Sequence, residues 1–105
     1  GQAGVIQMTR ELSTEWGDRG VRVNAMAPAQ ITNPGFEIRM DNTPGLRERF
    51  LRGIPMGRMG TPDDIKGVVM FLASDAGGFV TGSVIAFDGG NLAMGANATI
   101  GRKEA

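Results

Sequence analysis

The sequence predicts an α/β chain in the order helix, strand, loop, helix, strand, with the two strands parallel. Apolar residues recur at helical spacing in two segments, residues 3–16 and residues 61–74. Short runs rich in β-branched residues, 21–27 and 84–87, follow these segments after glycine-containing turns. A strand, a crossover that contains a helix and a second strand form a right-handed unit, so the two strands should run parallel.

The first helix is predicted from an apolar stripe and a glycine stop. The stripe consists of Val5, Met8, Leu12 and Trp16, with Ala3 and Ile6 beside it. Gly17 and the Asp18-Arg19-Gly20 sequence after it should end the helix. Glu11 and Glu15 fall on the opposite face, where we interpret them as a solvated surface.

The first strand is predicted over residues 21–27, which alternate weakly between two faces, and Pro28 should end it because proline lacks an N–H donor. Asn24, inside this strand, is expected to hydrogen-bond a neighbouring loop. Residues 29–60 contain five glycines and three prolines. We therefore predict a loop with one short helix near residues 46–51.

The second helix is predicted from its start signals. Thr61 can accept a hydrogen bond from a free backbone N–H, Pro62 suits the first helical position, and two aspartates follow near the positive end of the helix dipole. The helix should run to about Ser74, with its apolar residues Ile65, Val68, Val69 and Leu72 on one face. The last strand is predicted over residues 84–87.

Composition excludes several classes of function. The 105 residues contain 11 basic and 11 acidic side chains, so no excess of positive charge favours nucleic acid. Cysteine and histidine are both absent, so neither a disulfide framework nor a thiolate or imidazole metal site is predicted. No apolar run approaches the roughly 20 residues that span a bilayer. We expect a cytoplasmic protein without membrane or metal.

Several ordered motifs resemble the C-terminal end of short-chain dehydrogenases/reductases. They are GRMGTPDDIKGVVMFLASDAGGFVTGSVIAFDGG at residues 57–90 and VRVNAMAP at residues 21–28. The resemblance implies the C-terminal part of a Rossmann-like doubly wound parallel sheet, formed by residues 1–90. Residues 91–105 are small and polar, and we interpret them as a mobile tail or an arm onto a partner. By resemblance, the intact protein is an NAD(P)-dependent oxidoreductase of a carbonyl or secondary alcohol, such as that of a sugar or sugar acid.

The same resemblance implies a cofactor site in the loop after the first strand. Pro28-Ala29-Gln30-Ile31-Thr32 is similar to the family segment that flanks the nicotinamide carboxamide. Pro28 would border the ring, and the Ile31 backbone and the Thr32 hydroxyl would meet the carboxamide. Ala29 stands where the family usually has glycine. The alternative for Thr32 is that it caps a turn.

A substrate pocket is implied by residues in the region that covers the substrate in family members: Phe36, Met40, Met56 and Met59. Flexible thioethers suit an adaptable apolar lid. Ordinary core filling is the alternative. Asp88-Gly89-Gly90 is similar to the closing signature of the family, and we predict a tight turn there.

The catalytic residues of the family have no counterpart in this chain. The family uses a tyrosine and a lysine four residues later, but the sequence contains no tyrosine, and Gln2 stands at the lysine's place with Gly1 before it. The tyrosine would precede the first residue. No glycine-rich turn opens a helix after a strand, so the residues that hold the pyrophosphate and select NAD or NADP are expected outside this chain. We therefore assign no catalytic residue, and we expect the chain alone to be inactive and to hold no cofactor tightly.

Association of copies is the remaining expectation. Two parallel strands leave ladder groups unpaired, and small sheets need about three strands for independent stability. The resemblance implies a homo-oligomer formed through the last helix and strand. A non-catalytic self-association module derived from the same fold is therefore the alternative function.

Overall fold

A computed structural model describes residues 1–94. Its elements, in chain order, are α1 (Gln2–Trp16), β1 (Ala25–Pro28), α2 (Pro34–Asp41), α3 (Leu46–Arg52), α4 (Pro62–Ala73), β2 (Val84–Phe87) and α5 (Asn91–Met94). Strands β1 and β2 pair as a two-stranded parallel sheet. The predicted α/β class and the parallel pairing are therefore confirmed. None of the helices within these residues has the length and apolar character needed to cross a membrane.

The described residues divide into two compact units. The first consists of Gly1–Ala27 and Asp63–Ala86, and the second consists of Pro28–Pro62 with the residues from Phe87 onward. Every residue that the sequence assigns to cofactor or substrate lies in the second unit.

Helix α1 has the predicted extent, but its buried side chains are polar. Thr9 and Ser13 are buried, and their hydroxyls donate to carbonyls of the preceding turn, those of Val5 and Arg10. Val5 and Met8 are exposed. The helix therefore keeps part of its apolar stripe uncovered. It ends at a 3₁₀ turn and at Gly20, whose φ of 77° is the left-handed conformation that glycine adopts without strain.

Strand β1 begins at Ala25, four residues later than predicted, because the residues before it are held by side chains instead of a ladder. The Arg22 guanidinium donates to the carbonyls of Leu72 (2.6 Å) and Val80 (3.3 Å). The Asn24 amide donates to the Val80 carbonyl (3.0 Å), and its oxygen accepts from the Ser83 N–H (3.1 Å). The predicted role of Asn24 in holding a loop is confirmed.

Pro28 is the last residue of β1, yet it does not stop the pairing with β2. The N–H groups of Ala25 and Ala29 donate to the carbonyls of Ser83 and Phe87, at 2.9 and 3.1 Å. Donors toward β2 therefore alternate along the strand, and Pro28 occupies a position whose missing N–H would face away from β2. The strand ends at Pro28 as predicted, but one further hydrogen bond, from Ala29 to Phe87, continues the pairing beyond the proline.

Helix α4 confirms the predicted start at Pro62, with two aspartates in its first turn. Its predicted apolar face is only partly covered: Ile65, Val68 and Leu72 are half-buried, and no residue of α4 is fully buried within the described chain. Val69 is 48% exposed and Met70 is 70% exposed. A two-stranded sheet has too little surface to bury such a face.

Residues 29–60 of the second unit contain two helices where one was predicted. The additional helix, α2, begins after Asn33, whose side-chain oxygen accepts from the Phe36 N–H at 2.9 Å. Pro34 occupies its first position, so Pro34 and Gly35 start a helix here and do not break one. The core of this unit consists of Met40, Leu46, Ile54 and Met59, with Phe36, Phe50 and Leu51 packed against it.

The predicted tight turn at Asp88-Gly89-Gly90 is confirmed, with both glycines at positive φ. The Asp88 carboxylate accepts from the N–H groups of Gly90 and Leu92, each at 2.9 Å. The Asn91 amide donates to the Gly53 carbonyl at 2.7 Å. Residues 91–94, assigned to the tail, therefore form a helix tied to the second unit, and residues 95–105 lie outside the described residues.

Candidate functional site

The loop after β1 is fixed by an isolated parallel bridge between Ile31 and Gly60. The Gly60 N–H donates to the Gln30 carbonyl at 2.9 Å, and the Thr32 N–H donates to the Gly60 carbonyl at 2.8 Å. The backbone on both sides of Ile31 is thereby tied to the residue that precedes Thr61. The bridge thereby holds Gln30, Ile31 and Thr32, three consecutive residues of the predicted cofactor loop.

The bridge sets the direction of the Ile31 peptide groups. In a parallel bridge, the flanking residues bond to the partner, while the N–H and C=O of the central residue point to the opposite side. Ile31 therefore presents one donor and one acceptor away from Gly60. A primary amide offers the complementary acceptor and donor, so this edge can bind a carboxamide through two hydrogen bonds.

Backbone strain in this loop lies at Gln30, with φ of 60°. The left-handed conformation costs a non-glycine residue about 1–2 kcal/mol. Ala29, at the position where family members have glycine, does not have a positive φ. The alanine therefore adds no strain of this kind.

Thr32 belongs to a network of charged side chains on α2 and α3. Its hydroxyl donates to Glu37 Oε1 at 2.9 Å, and Arg47 donates to Glu37 Oε2. Arg47 also contacts Asp41 Oδ1 at 3.0 Å. The hydrogen bonds from Arg47 and then Thr32 lower the pKa of Glu37. The hydrogen bonds to Glu37 and Asp41 raise the pKa of Arg47.

Thr32 does not act as the cap that was its alternative role; the neighbouring residue, Asn33, caps the helix instead. Asn33 supplies the side-chain cap of α2, while the Thr32 hydroxyl is directed at Glu37. The sequence did not single out Glu37 or Arg47. Glu37 lies in the first turn of a helix capped by Asn33, where an acidic residue is favoured, and this position could have identified it. It was missed because the helix was interpreted as a loop.

The four residues assigned to a substrate pocket lie in different environments. Met40 and Met59 are buried in the core of the second unit, and Phe36 packs against that core with its ring 5.0 Å from the Phe50 ring. Met56 is 66% exposed. Core filling describes Met40 and Met59 in this chain, and the contact of the four with substrate stays a prediction.

Another groove and the other charged residues offer fewer free polar groups to a ligand than the loop after β1. A shallow groove in the first unit is lined by Gly20, Arg22, Asn24, Met26, Val69, Leu72 and Ala73. Its polar side chains, Arg22 and Asn24, are already bonded to backbone carbonyls. Within residues 1–94, no three carboxylates come together as a metal site would require.

Comparison with known proteins identifies relatives over most of the chain. The family model described as enoyl-(acyl carrier protein) reductase matches residues 2–91. A galactitol 2-dehydrogenase (L-tagatose-forming) from Cereibacter sphaeroides is 46% identical over 86 residues, which are 82% of this chain and 34% of the relative. A 2-(S)-hydroxypropyl-CoM dehydrogenase from Xanthobacter autotrophicus is 41% identical over 93 residues, which are 86% of this chain and 36% of the relative.

Solved structures show the same similarity. A putative 2-deoxy-D-gluconate 3-dehydrogenase from Agrobacterium tumefaciens, with bound NADP, superposes with a TM-score of 0.77 and is 37% identical. The superposition covers 87% of this chain and 37% of that structure. The chain therefore spans about a third of the length of the relatives that it matches.

Proposed function

Because the chain belongs to the short-chain dehydrogenase/reductase family, we propose that it is the C-terminal segment of an NAD(P)-dependent oxidoreductase acting on a carbonyl or secondary alcohol. Its similarity to dehydrogenases along residues 2–91 supports this proposal. The observation on which the proposal depends is the bridge between Ile31 and Gly60, which leaves a donor and an acceptor directed to the other side.

In this proposal the loop holds the nicotinamide end of the cofactor. The Ile31 N–H and C=O pair with the carboxamide, the Thr32 hydroxyl adds a third contact, and Pro28 borders the ring. The cofactor, when bound, supplies or accepts the hydride. The chain's own residues orient the carboxamide and so fix which face of the ring meets the substrate. Correct orientation of reacting groups is itself a large part of catalysis.

The chain has no tyrosine, and in the one glycine turn between a described strand and helix, β2 and α5, the Gly90 and Leu92 N–H groups are bonded to the Asp88 carboxylate. The proposal therefore assigns the proton donor and the pyrophosphate cradle to other polypeptide residues. It does not select NAD over NADP. The names of the relatives, which include a galactitol and a 2-deoxy-D-gluconate dehydrogenase, support a small polyol or sugar acid as substrate.

A chimera tests this function. Residues 1–94 would replace the matching segment of the Cereibacter sphaeroides galactitol dehydrogenase, so that the relative supplies the nucleotide-binding half. We expect the chimera to bind NADH or NADPH, measured by fluorescence titration. Ile31→Pro, which removes the N–H directed at the carboxamide, should weaken binding about tenfold or more. A folded chimera that binds neither cofactor would contradict the proposal.

We also propose that the chain associates with copies of itself through α4 and β2. Val69 and Met70 on α4 are exposed, and Phe79 before β2 is fully exposed. Exposed apolar side chains on one unit favour association. Sedimentation of the purified chain over a concentration series should show a mass that rises with concentration, and Met70→Lys should reduce that rise. A folded monomer at every concentration would contradict this expectation.

A further inference from the structure

The hydrogen bond between Thr32 and Glu37 has only one direction. An ionised carboxylate accepts hydrogen bonds and cannot donate them, and a hydroxyl has a single hydrogen. The Thr32 Oγ1–H therefore donates to Glu37 Oε1, at 2.9 Å. With its hydrogen engaged, Thr32 Oγ1 can offer only its lone pairs, as an acceptor, to any other group.

Two hydrogen bonds hold the Glu37 carboxylate, one from Thr32 and one from Arg47. Arg47, on α3, donates to its second oxygen and also contacts Asp41. Glu37 lies in the first turn of α2, where the helix dipole favours a negative charge. The Arg47 contact keeps the carboxylate ionised, in agreement with the lowered pKa of Glu37.

The backbone of Thr32 is fixed as firmly as its hydroxyl. Its N–H is used by the Gly60 carbonyl at 2.8 Å, so it is not available to a ligand. The contact that Thr32 can add is therefore made by Oγ1, and Oγ1 acts as an acceptor. An N–H donor of the ligand suits this position, whereas a carboxylate or phosphate oxygen would meet a second acceptor and a nearby negative charge.

We propose that Glu37, held by Arg47, is a positioning residue that makes the Thr32 hydroxyl an acceptor and thereby selects a carboxamide NH₂ group at this loop. This inference rests on the proposed function, which supplies the nicotinamide. It adds residues that neither touch the cofactor nor belong to the loop, and it states which half of the carboxamide Thr32 recognises.

The test compares NADH with its reduced 3-acetylpyridine analogue, in which a methyl group replaces the NH₂. The chimera described above should bind NADH about a hundredfold more tightly than the analogue, because the NH₂ group donates to both the Ile31 carbonyl and Thr32 Oγ1 and each hydrogen bond contributes about tenfold. Glu37→Gln should reduce this preference severalfold, because a glutamine amide can donate to Oγ1 and turn the hydroxyl around. Thr32→Val should lower the preference about tenfold and leave the part contributed by the Ile31 carbonyl, and Thr32→Ser should retain the full preference.

Glu48→Gln is the matched control, since Glu48 is an exposed carboxylate on α3. It should leave the preference and the thermal midpoint unchanged. A chimera that binds NADH but keeps its full preference after Glu37→Gln overturns the role of Glu37 and leaves the proposed function intact. If Glu37→Gln does not fold, full preference in Thr32→Val overturns the inference instead. A folded chimera that binds neither dinucleotide overturns both.

Discussion

The isolated 105-residue chain is expected to show no NAD(P)H-dependent reduction of a carbonyl compound. The sequence contains no tyrosine, which the family resemblance implies as the proton donor, and Gln2, which that resemblance places at the lysine position, cannot supply a cation to stabilise a phenolate. Loss of a general acid alone costs a factor of about 10²–10⁴ in rate. The missing pyrophosphate cradle would weaken cofactor binding in addition.

The measurement is the absorbance of NADPH and NADH at high enzyme concentration with a panel of ketoses and keto acids. The intact Cereibacter sphaeroides galactitol dehydrogenase serves as the positive control, and the heated chain serves as the blank. Oxidation of cofactor above the blank would contradict the expectation. It would then require another proton donor among the described residues, for which the carboxylates would be the first candidates.

The sequence predicted correctly those helices and strands whose start and end residues are themselves recognisable in the sequence. Helix α4 combines a proline at its first position with two early aspartates, and β2 is a short apolar run between glycines. Helix α2 was missed because Pro34 and Gly35 were interpreted as loop residues. In the structure, Asn33 caps the helix and makes the same proline a start signal.

Burial was harder to predict than secondary structure. Periodicity identifies an apolar face, but whether that face is covered depends on how much partner surface exists. On α1 and α4 the face is only half-buried, while the described core formed in the loop region around Ile54 and Met59. Nothing in the composition of residues 29–60, with their many glycines and prolines, distinguished a packed unit from an open loop.

In the candidate site, too, some residues could be predicted from the sequence and others could not. A contiguous motif located Pro28 to Thr32, because those residues follow one another in the chain. The partners of Thr32 could not be found in that way. Glu37 and Arg47 are five and fifteen residues further along, on two helices, and only the packing of those helices brings the guanidinium to the carboxylate. Contacts of this kind have no sequence spacing that predicts them.

The turn at Gly89 leaves no room for a side chain in the second unit. Its φ of 62° lies in the left-handed region, and an added Cβ would lie 2.6 Å from Ile54 Cγ2. Ile54 is only 1% exposed, the lowest value in the core of this unit. The Gly89 carbonyl also accepts from the Met56 N–H at 3.0 Å, so the turn cannot move outward without losing that bond.

Gly89→Ala should therefore lower the free energy of unfolding by about 2–4 kcal/mol, the sum of left-handed strain and overpacking of a tight core. Gly57→Ala is the matched control, because Gly57 has a φ of 76° but nothing within 4 Å of an added Cβ. It should cost only the strain, about 1 kcal/mol. Urea unfolding of both variants, followed by circular dichroism, measures the difference. Equal losses would mean that Gly89 does not approach Ile54 closely, and the second unit would then lack the contact that fixes the closing turn against its core.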